Sequence, residues 1–103
     1  MEEAQLFLKN TPISIGREIS MLRNGLMINQ ENFANLLLVS RGTVSKMENA
    51  TKMEDIPDDV VFRLFYVTHK VCQNPYKEPY IKLIAQSLYE KLDHSIQKRM
   101  NIL

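Results

Sequence analysis

The stretch INQENFANLLLVSRGTVSKMEN, residues 28–49, decides the fold. Asn29 and Ser40 are residue types that commonly cap helix N-termini. After each of them, the apolar residues recur at the three-to-four-residue spacing of a helix that buries one face. The sequence therefore predicts one helix over about 30–37 and another over about 41–49. Because so few residues separate them, we expect the two helices to meet at a tight corner.

A further helix is predicted upstream of this stretch. Two alternative starts are open, Thr11-Pro12 and Ser14, since proline is tolerated in a first turn and serine is a good cap. The helix should stop at Asn24-Gly25, because glycine accepts the left-handed conformation that often ends a helix.

Two more helices are predicted downstream. One begins after Pro57, whose acidic followers Asp58 and Asp59 suit a helix N-terminus, and runs to about residue 70. The segment CQNPYKEP, residues 72–79, interrupts the pattern with two prolines. A long amphipathic helix should then cover about 80–100. With five predicted helices and no persuasive strand, the predicted fold class is all-α.

Composition restricts the class of protein. The 103 residues allow one domain with a modest core, and 45% apolar with 24% charged residues exclude a disordered or fibrous chain. A single cysteine, Cys72, suits a reducing, cytoplasmic environment, and no apolar run approaches the length of a membrane span. The formal net charge is only +1, so the bulk basic excess usual in nucleic-acid binders is missing.

Residues 28–49 resemble the helix-turn-helix of the lambda-type phage repressor and Cro family, also called the Xre family. The resemblance extends upstream through IGREISMLR, residues 15–23, and downstream through the helix after Pro57, so it covers about 13–71. It implies a lambda-repressor-like helix-turn-helix domain with an additional long C-terminal helix. We accordingly expect an N-terminal arm or short helix at 1–12, a DNA-binding domain at 13–71 and a helical extension at 72–103.

The resemblance also implies roles for individual residues. In the family the third helix lies in the major groove of double-stranded DNA and its N-terminal residues meet the base edges. The base-reading candidates on this helix are Arg41, Gly42, Thr43, Ser45 and Lys46. The phosphate-binding candidates around it are Gln30, Ser40, Asn49 and Lys52.

Arg23 and Glu48 match family positions that form an ion pair between the first helix and the end of the third. We therefore expect these two residues to be structural partners, with Glu48 turned away from DNA. Leu38 and Ala50 depart from the family pattern, because each stands where glycine is common. The loop 51–56 is also a residue or two longer than usual.

The apolar stripe of the last helix has two possible partners, its own domain or a second copy of the chain. We favour a homodimer, since a two-fold pair can place two third helices in successive major grooves. The residues expected at this dimer interface are Tyr80, Ile84, Leu88, Leu92 and Ile96.

The predicted function is that of a cytoplasmic transcriptional regulator, most simply a repressor, that binds a palindromic operator as a dimer. The alternative is an antitoxin that uses the same unit for autoregulation and binds a toxin protein, and a third interpretation is a scaffold that has lost DNA binding. We expect neither enzymatic activity nor a cofactor. His69 and His94 are isolated, so no metal site is predicted.

Overall fold

The computed structural model describes residues 13–101, which form five α-helices. Helices α1 to α5 span Ile15–Gly25, Gln30–Leu37, Arg41–Glu48, Asp58–Gln73 and Pro79–Met100, and a short 3₁₀-helix at Met53–Asp55 precedes α4. No strand occurs within the described part of the chain, and the all-α fold class is confirmed. The predicted arm or helix at 1–12 lies outside the described residues.

The first three helices begin where hydroxyl or amide side chains cap them. Ser14, Asn29 and Ser40 each accept a hydrogen bond from the backbone N–H three residues later, at 2.8–3.3 Å. Each bond satisfies one of the amides that a helix leaves unpaired at its start. Of the two alternative starts for α1, the chain uses Ser14.

The ends of α1 and α2 do not follow the glycine rule. The left-handed residues are Met27, with φ of 60°, and Leu38, with φ of 58°, and no described glycine has a positive φ. The expectation that Gly25 takes this conformation is therefore wrong. Gly25 instead permits close packing, since a Cβ there would lie 3.2 Å from the Ile81 side chain of α5.

Leu38 forms the corner between α2 and α3. Its N–H donates to Asn35 O at 3.3 Å and the N–H of Val39 donates to Ala34 O at 3.0 Å, the pair of bonds that ends a helix in a Schellman motif. This motif demands a left-handed residue, so Leu38 adopts the conformation that glycine would adopt at lower cost.

All five helices contribute to one core. The largest side chains that are completely enclosed come from every helix, including Ile19, Leu22, Phe33, Leu37, Val44, Leu64 and Leu88. Ala34 is 2% exposed, and it lies on the buried face of α2 together with Phe33 and Leu37. The core therefore fixes the orientation of the α2–α3 pair relative to the rest of the chain.

The apolar stripe of α5 packs inside its own chain, against α4 and α1. Four of the five residues expected at a dimer interface are buried in this core: Ile84, Leu88, Leu92 and Ile96. That expectation is wrong for these four, because their apolar surface is already removed from water within one chain. Tyr80, which is 51% exposed, is the only one of the five left for an interface.

A buried carboxylate also joins α5 to α1. Glu18 is fully buried, and its two carboxylate oxygens accept hydrogen bonds from Ser87 Oγ, at 2.6 Å, and from Lys91 Nζ. A carboxylate in the core is tolerated only when it is paired and hydrogen-bonded, so these contacts hold α5 in register on α1. Sequence periodicity did not indicate Glu18, because it counts only apolar residues.

Replacement of Leu38 by glycine should raise the free energy of unfolding by about 1 kcal/mol, because it relieves the left-handed strain. The matched control is Leu36→Gly, an exposed leucine inside α2, which should lower it by about 1 kcal/mol through lost helix propensity. Urea denaturation of both variants measures the difference. Equal destabilisation by both substitutions would contradict the assigned role of the corner.

Candidate nucleic-acid interface

Helix α3 presents a polar face to solvent and an apolar face to the core. Arg41, Gly42 and Lys46 are exposed, and Val44 and Met47 are buried. Two further base-reading candidates, at positions 43 and 45, are half-buried at the edges of this exposed face. The structure thus places all five base-reading candidates on or beside one surface.

Ser40 is occupied by local hydrogen bonds. Its Oγ accepts from the Thr43 N–H at 3.2 Å and lies 3.0 Å from Thr43 Oγ1. The two hydroxyls orient each other at the first turn of α3. The amides of this turn point out of the helix start, where a helix attracts negative charge.

Arg23 and Glu48 are in direct contact across α1 and α3. Arg23 Nε lies 2.6 Å from one carboxylate oxygen of Glu48, and Nη2 lies 3.1 Å from the other. Arg23 Nη1 also donates to Ile28 O at 2.9 Å. Because the two side chains are only 13% and 7% exposed, this bidentate pair is shielded from water.

Gln30 completes this network. Its Nε2 donates to Glu48 Oε1 at 3.1 Å, so the start of α2 is joined to the end of α3. Asn49 is likewise engaged, since its Nδ2 donates to Ser45 O at 2.8 Å. Each amide group carries two hydrogens, so either side chain can keep its internal bond and donate once more to a phosphate oxygen.

A polar cleft opens beside the network. It has a volume of about 470 Å³ and is lined by Arg23, Asn29, Gln30, Glu31 and Arg41. The start of α2 and the start of α3 thus line one polar recess, to which Arg41 contributes.

Gly16 makes a close contact with the backbone after α3 that the sequence did not reveal. Its N–H donates to Ala50 O at 3.0 Å, and a Cβ at this position would lie 2.6 Å from Glu48 O and 2.7 Å from Ala50 O. The first turn of α1 therefore rests directly on the backbone that leaves α3. A glycine inside the amphipathic pattern of α1 was the available signal.

Ala50 needs no left-handed conformation, although glycine is common at this position in the repressor and Cro proteins that residues 28–49 resemble.

The loop after α3 is held from the far end of the chain. Arg99, near the end of α5, donates to Met53 O and Ile56 O, both at 2.9 Å, and also contacts the Asp58 carboxylate. Lys52 is exposed on this loop. Arg99 therefore fixes the backbone that carries a phosphate-binding candidate, and nothing in its sequence context indicated this.

Residues 13–101 hold no group of three metal-ligating side chains in one place. No helix among them has the length and apolar character to cross a membrane. Burial raises the pKa of the Cys72 thiol, and nearby Lys82 opposes this shift. This favours the thiol form, which is a poor nucleophile.

Comparison with known proteins identifies no relative: no protein-family model, curated protein or solved structure matches this chain.

The contact under Gly16 should make it intolerant of a side chain. Gly16→Ala is expected to lower the free energy of unfolding by about 1–3 kcal/mol, the usual cost of overpacking. The matched control is Gly42→Ala, since a Cβ there would come no closer than 3.8 Å to Ser40 Oγ. That variant should gain up to about 1 kcal/mol in helix propensity. Thermal and urea denaturation check both, and a neutral Gly16→Ala would contradict the close approach.

Removal of Arg23 from its ion pair with Glu48 should lower the free energy of unfolding. Arg23→Met is expected to cost about 3 kcal/mol of stability, because Glu48 stays buried without its partner. The double variant Arg23→Met with Glu48→Met removes the orphaned charge and should recover most of the loss. Urea denaturation measures both. An Arg23→Met variant as stable as the parent would show that the pair contributes nothing to folding.

Proposed function

We propose that this chain is a sequence-specific DNA-binding transcriptional regulator, most simply a repressor, with a lambda-repressor-like helix-turn-helix formed by α2 and α3. The observation that supports this best is the exposed face of α3. It presents Arg41 and Lys46 to solvent, and the one acidic residue of α3, Glu48, is turned into the network with Arg23.

In this function α3 enters the major groove. Arg41, at its first residue, donates to a guanine edge, and such a bidentate contact is worth about 1–3 kcal/mol of discrimination. Gly42 is exposed and carries no side chain, so the backbone of α3 approaches the groove wall closely. Lys46 reads bases one turn further along the same face.

Phosphate contacts come from the edges of α3. The second amide hydrogens of Gln30 and Asn49, the helix start at Ser40 and the exposed Lys52 are the donors we assign to them. Few of these donors are cationic, so few counterions are released on binding. The chain should therefore bind random DNA weakly and lose affinity only slowly as salt rises.

A palindromic operator requires two copies. The principal-axis extents of one copy, 36 × 31 × 24 Å, are similar in size to the spacing of about 34 Å between successive major grooves on one side of DNA. This similarity in size supports a side-by-side pair on the operator.

The dimer contact must lie away from the buried stripe of α5. Four exposed apolar side chains lie around one shallow recess of about 370 Å³ on α2 and α4: Leu36, Leu38, Phe62 and Tyr66. We propose this cluster as the contact with the second copy, since a patch of this kind marks a protein interface. An antitoxin would present the same cluster to a toxin instead, and capture of a toxin in place of a second copy would support that alternative.

Selection of bound duplexes from a random pool tests the function directly. The parent chain should recover a two-fold symmetric motif, whereas Arg41→Ala with Lys46→Ala should recover none. The matched control is Lys77→Ala with Lys82→Ala, which removes the same charge from the α4–α5 connection and from α5 and should keep the motif. The salt slope on the selected site should be shallow.

Three outcomes would contradict the proposal in whole or in part. Absence of any enriched sequence with the parent chain would exclude a sequence-specific regulator. Recovery of the same motif by the Arg41→Ala, Lys46→Ala variant would show that α3 does not read DNA. An enriched motif without two-fold symmetry would exclude the dimer while leaving the reading helix in place.

A further inference from the structure

Helix α4 carries a stripe of exposed side chains along one side. The stripe consists of residues spaced three or four apart, namely Asp59, Phe62, Tyr66, Lys70 and Gln73. This spacing places them on one face of a helix. Phe62 and Tyr66, at the centre of the stripe, are 48% and 61% exposed, whereas the opposite face of α4 packs into the core.

The two ends of this stripe carry opposite charges. Asp59 lies in the first turn of α4 and Lys70 in the last turn. Arg63 Nη1 lies 3.4 Å from the Asp59 carboxylate, but the Asp59 side chain is still 64% exposed, so it can accept a second cation. Lys70 makes no ion pair with any residue from 13 to 101, and its Nζ lies 5.5 Å from the centre of the Tyr66 ring. The stripe therefore runs from an acid, through two aromatic side chains, to a base.

Such a stripe is complementary to an antiparallel copy of itself. A two-fold axis that crosses α4 midway between residues 64 and 65 is equally far from Asp59 and Lys70, so each Asp59 faces Lys70 of the second copy. The same axis brings Phe62 of one copy within about 1.5 Å of the level of Tyr66 in the other, which is the rise of a single residue. A two-fold contact makes each of these pairs twice. A parallel arrangement would instead place like charges together at both ends.

The leucines beside the stripe enlarge the apolar part of this surface. Leu36 and Leu38 on α2 are 53% and 74% exposed and line a shallow recess of about 370 Å³ together with Phe62 and Tyr66. An aromatic ring from the second copy can enter this recess. The surface involves few side chains, whereas stable interfaces use about 20–30 residues on each side. We therefore expect a weak dimer that forms at micromolar concentrations.

We propose that two copies of this chain associate through α4 as an antiparallel two-fold pair, with Phe62 against Tyr66 at the centre and Asp59 against Lys70 at both ends. This inference rests on the dimer of the proposed function and adds its orientation and its charge pairing. The association itself requires no DNA, so it can be tested separately from base reading by α3.

Charge reversal in the full-length chain tests the orientation. Asp59→Lys alone and Lys70→Glu alone each place like charges opposite one another at both ends. Each should therefore raise the dissociation constant of the dimer at least about tenfold. An equimolar mixture of the two variants should recover the dissociation constant of the parent, because each lysine then faces an acid. The double variant Asp59→Lys with Lys70→Glu should recover it for the same reason. Sedimentation at low salt over a concentration series measures all of them.

Two further sets of variants serve as controls. Glu90→Lys and Lys98→Glu change the net charge by the same amounts at exposed positions on α5, so they should leave the dissociation constant unchanged, alone or mixed. Phe62→Ser with Tyr66→Ser removes the apolar centre without changing the charge and should leave the chain monomeric. Because both side chains are exposed, circular dichroism should show the helical fold retained.

Several results would overturn the proposal. A parent chain that stays monomeric at millimolar concentration would exclude the pair. Single charge reversals that dimerise as well as the parent, or a mixture and a double variant that both stay monomeric, would exclude the antiparallel orientation. A two-fold DNA motif selected by a parent chain that is monomeric in solution would overturn this pairing alone. A dimer through α4 with no enriched DNA sequence would overturn the proposed function and leave the pairing intact.

Discussion

The carboxylate of Glu48 is the group on which the interface depends. It lies at the end of α3, and without a partner it would add negative charge to the surface that we propose faces DNA. Arg23 from α1 and Gln30 from α2 hold it inside the fold. Three helices meet at this one side chain, so the tilt of α3 is fixed by the same contacts that neutralise its only acid.

Two further contacts hold the backbone that follows α3 in place. Gly16 lets the start of α1 touch the peptide groups that leave α3, and Arg99 holds the following loop from the end of α5. The segments that hold the interface are thus far apart in sequence. The resemblance to repressors and Cro proteins covers about 13–71, but the geometry of that region depends on residues beyond it.

Much of the architecture could be predicted because it depends on local chemistry. Caps at Asn29 and Ser40 and the three-to-four-residue apolar spacing locate α2 and α3 without any long-range information. The packing partner of the apolar stripe on α5 could not be predicted in this way. An apolar face gives the same pattern whether it packs on its own chain or on a copy, and the choice depends on tertiary partners such as Glu18. The left-handed residue that follows α1 was also missed, since Gly25 was the local candidate for it and the chain uses Met27 instead.

The buried Glu18 has a consequence for how this chain can be divided. A shorter chain ending before α5 would retain the two helices that we propose to bind DNA, but it would leave a carboxylate facing an empty core with neither Ser87 nor Lys91 to receive it. Such a fragment would also expose the apolar faces of α1 and α4. The unit able to fold independently is therefore larger than the unit that resembles a DNA-binding domain, and grafting the latter onto another protein would require α5 to travel with it.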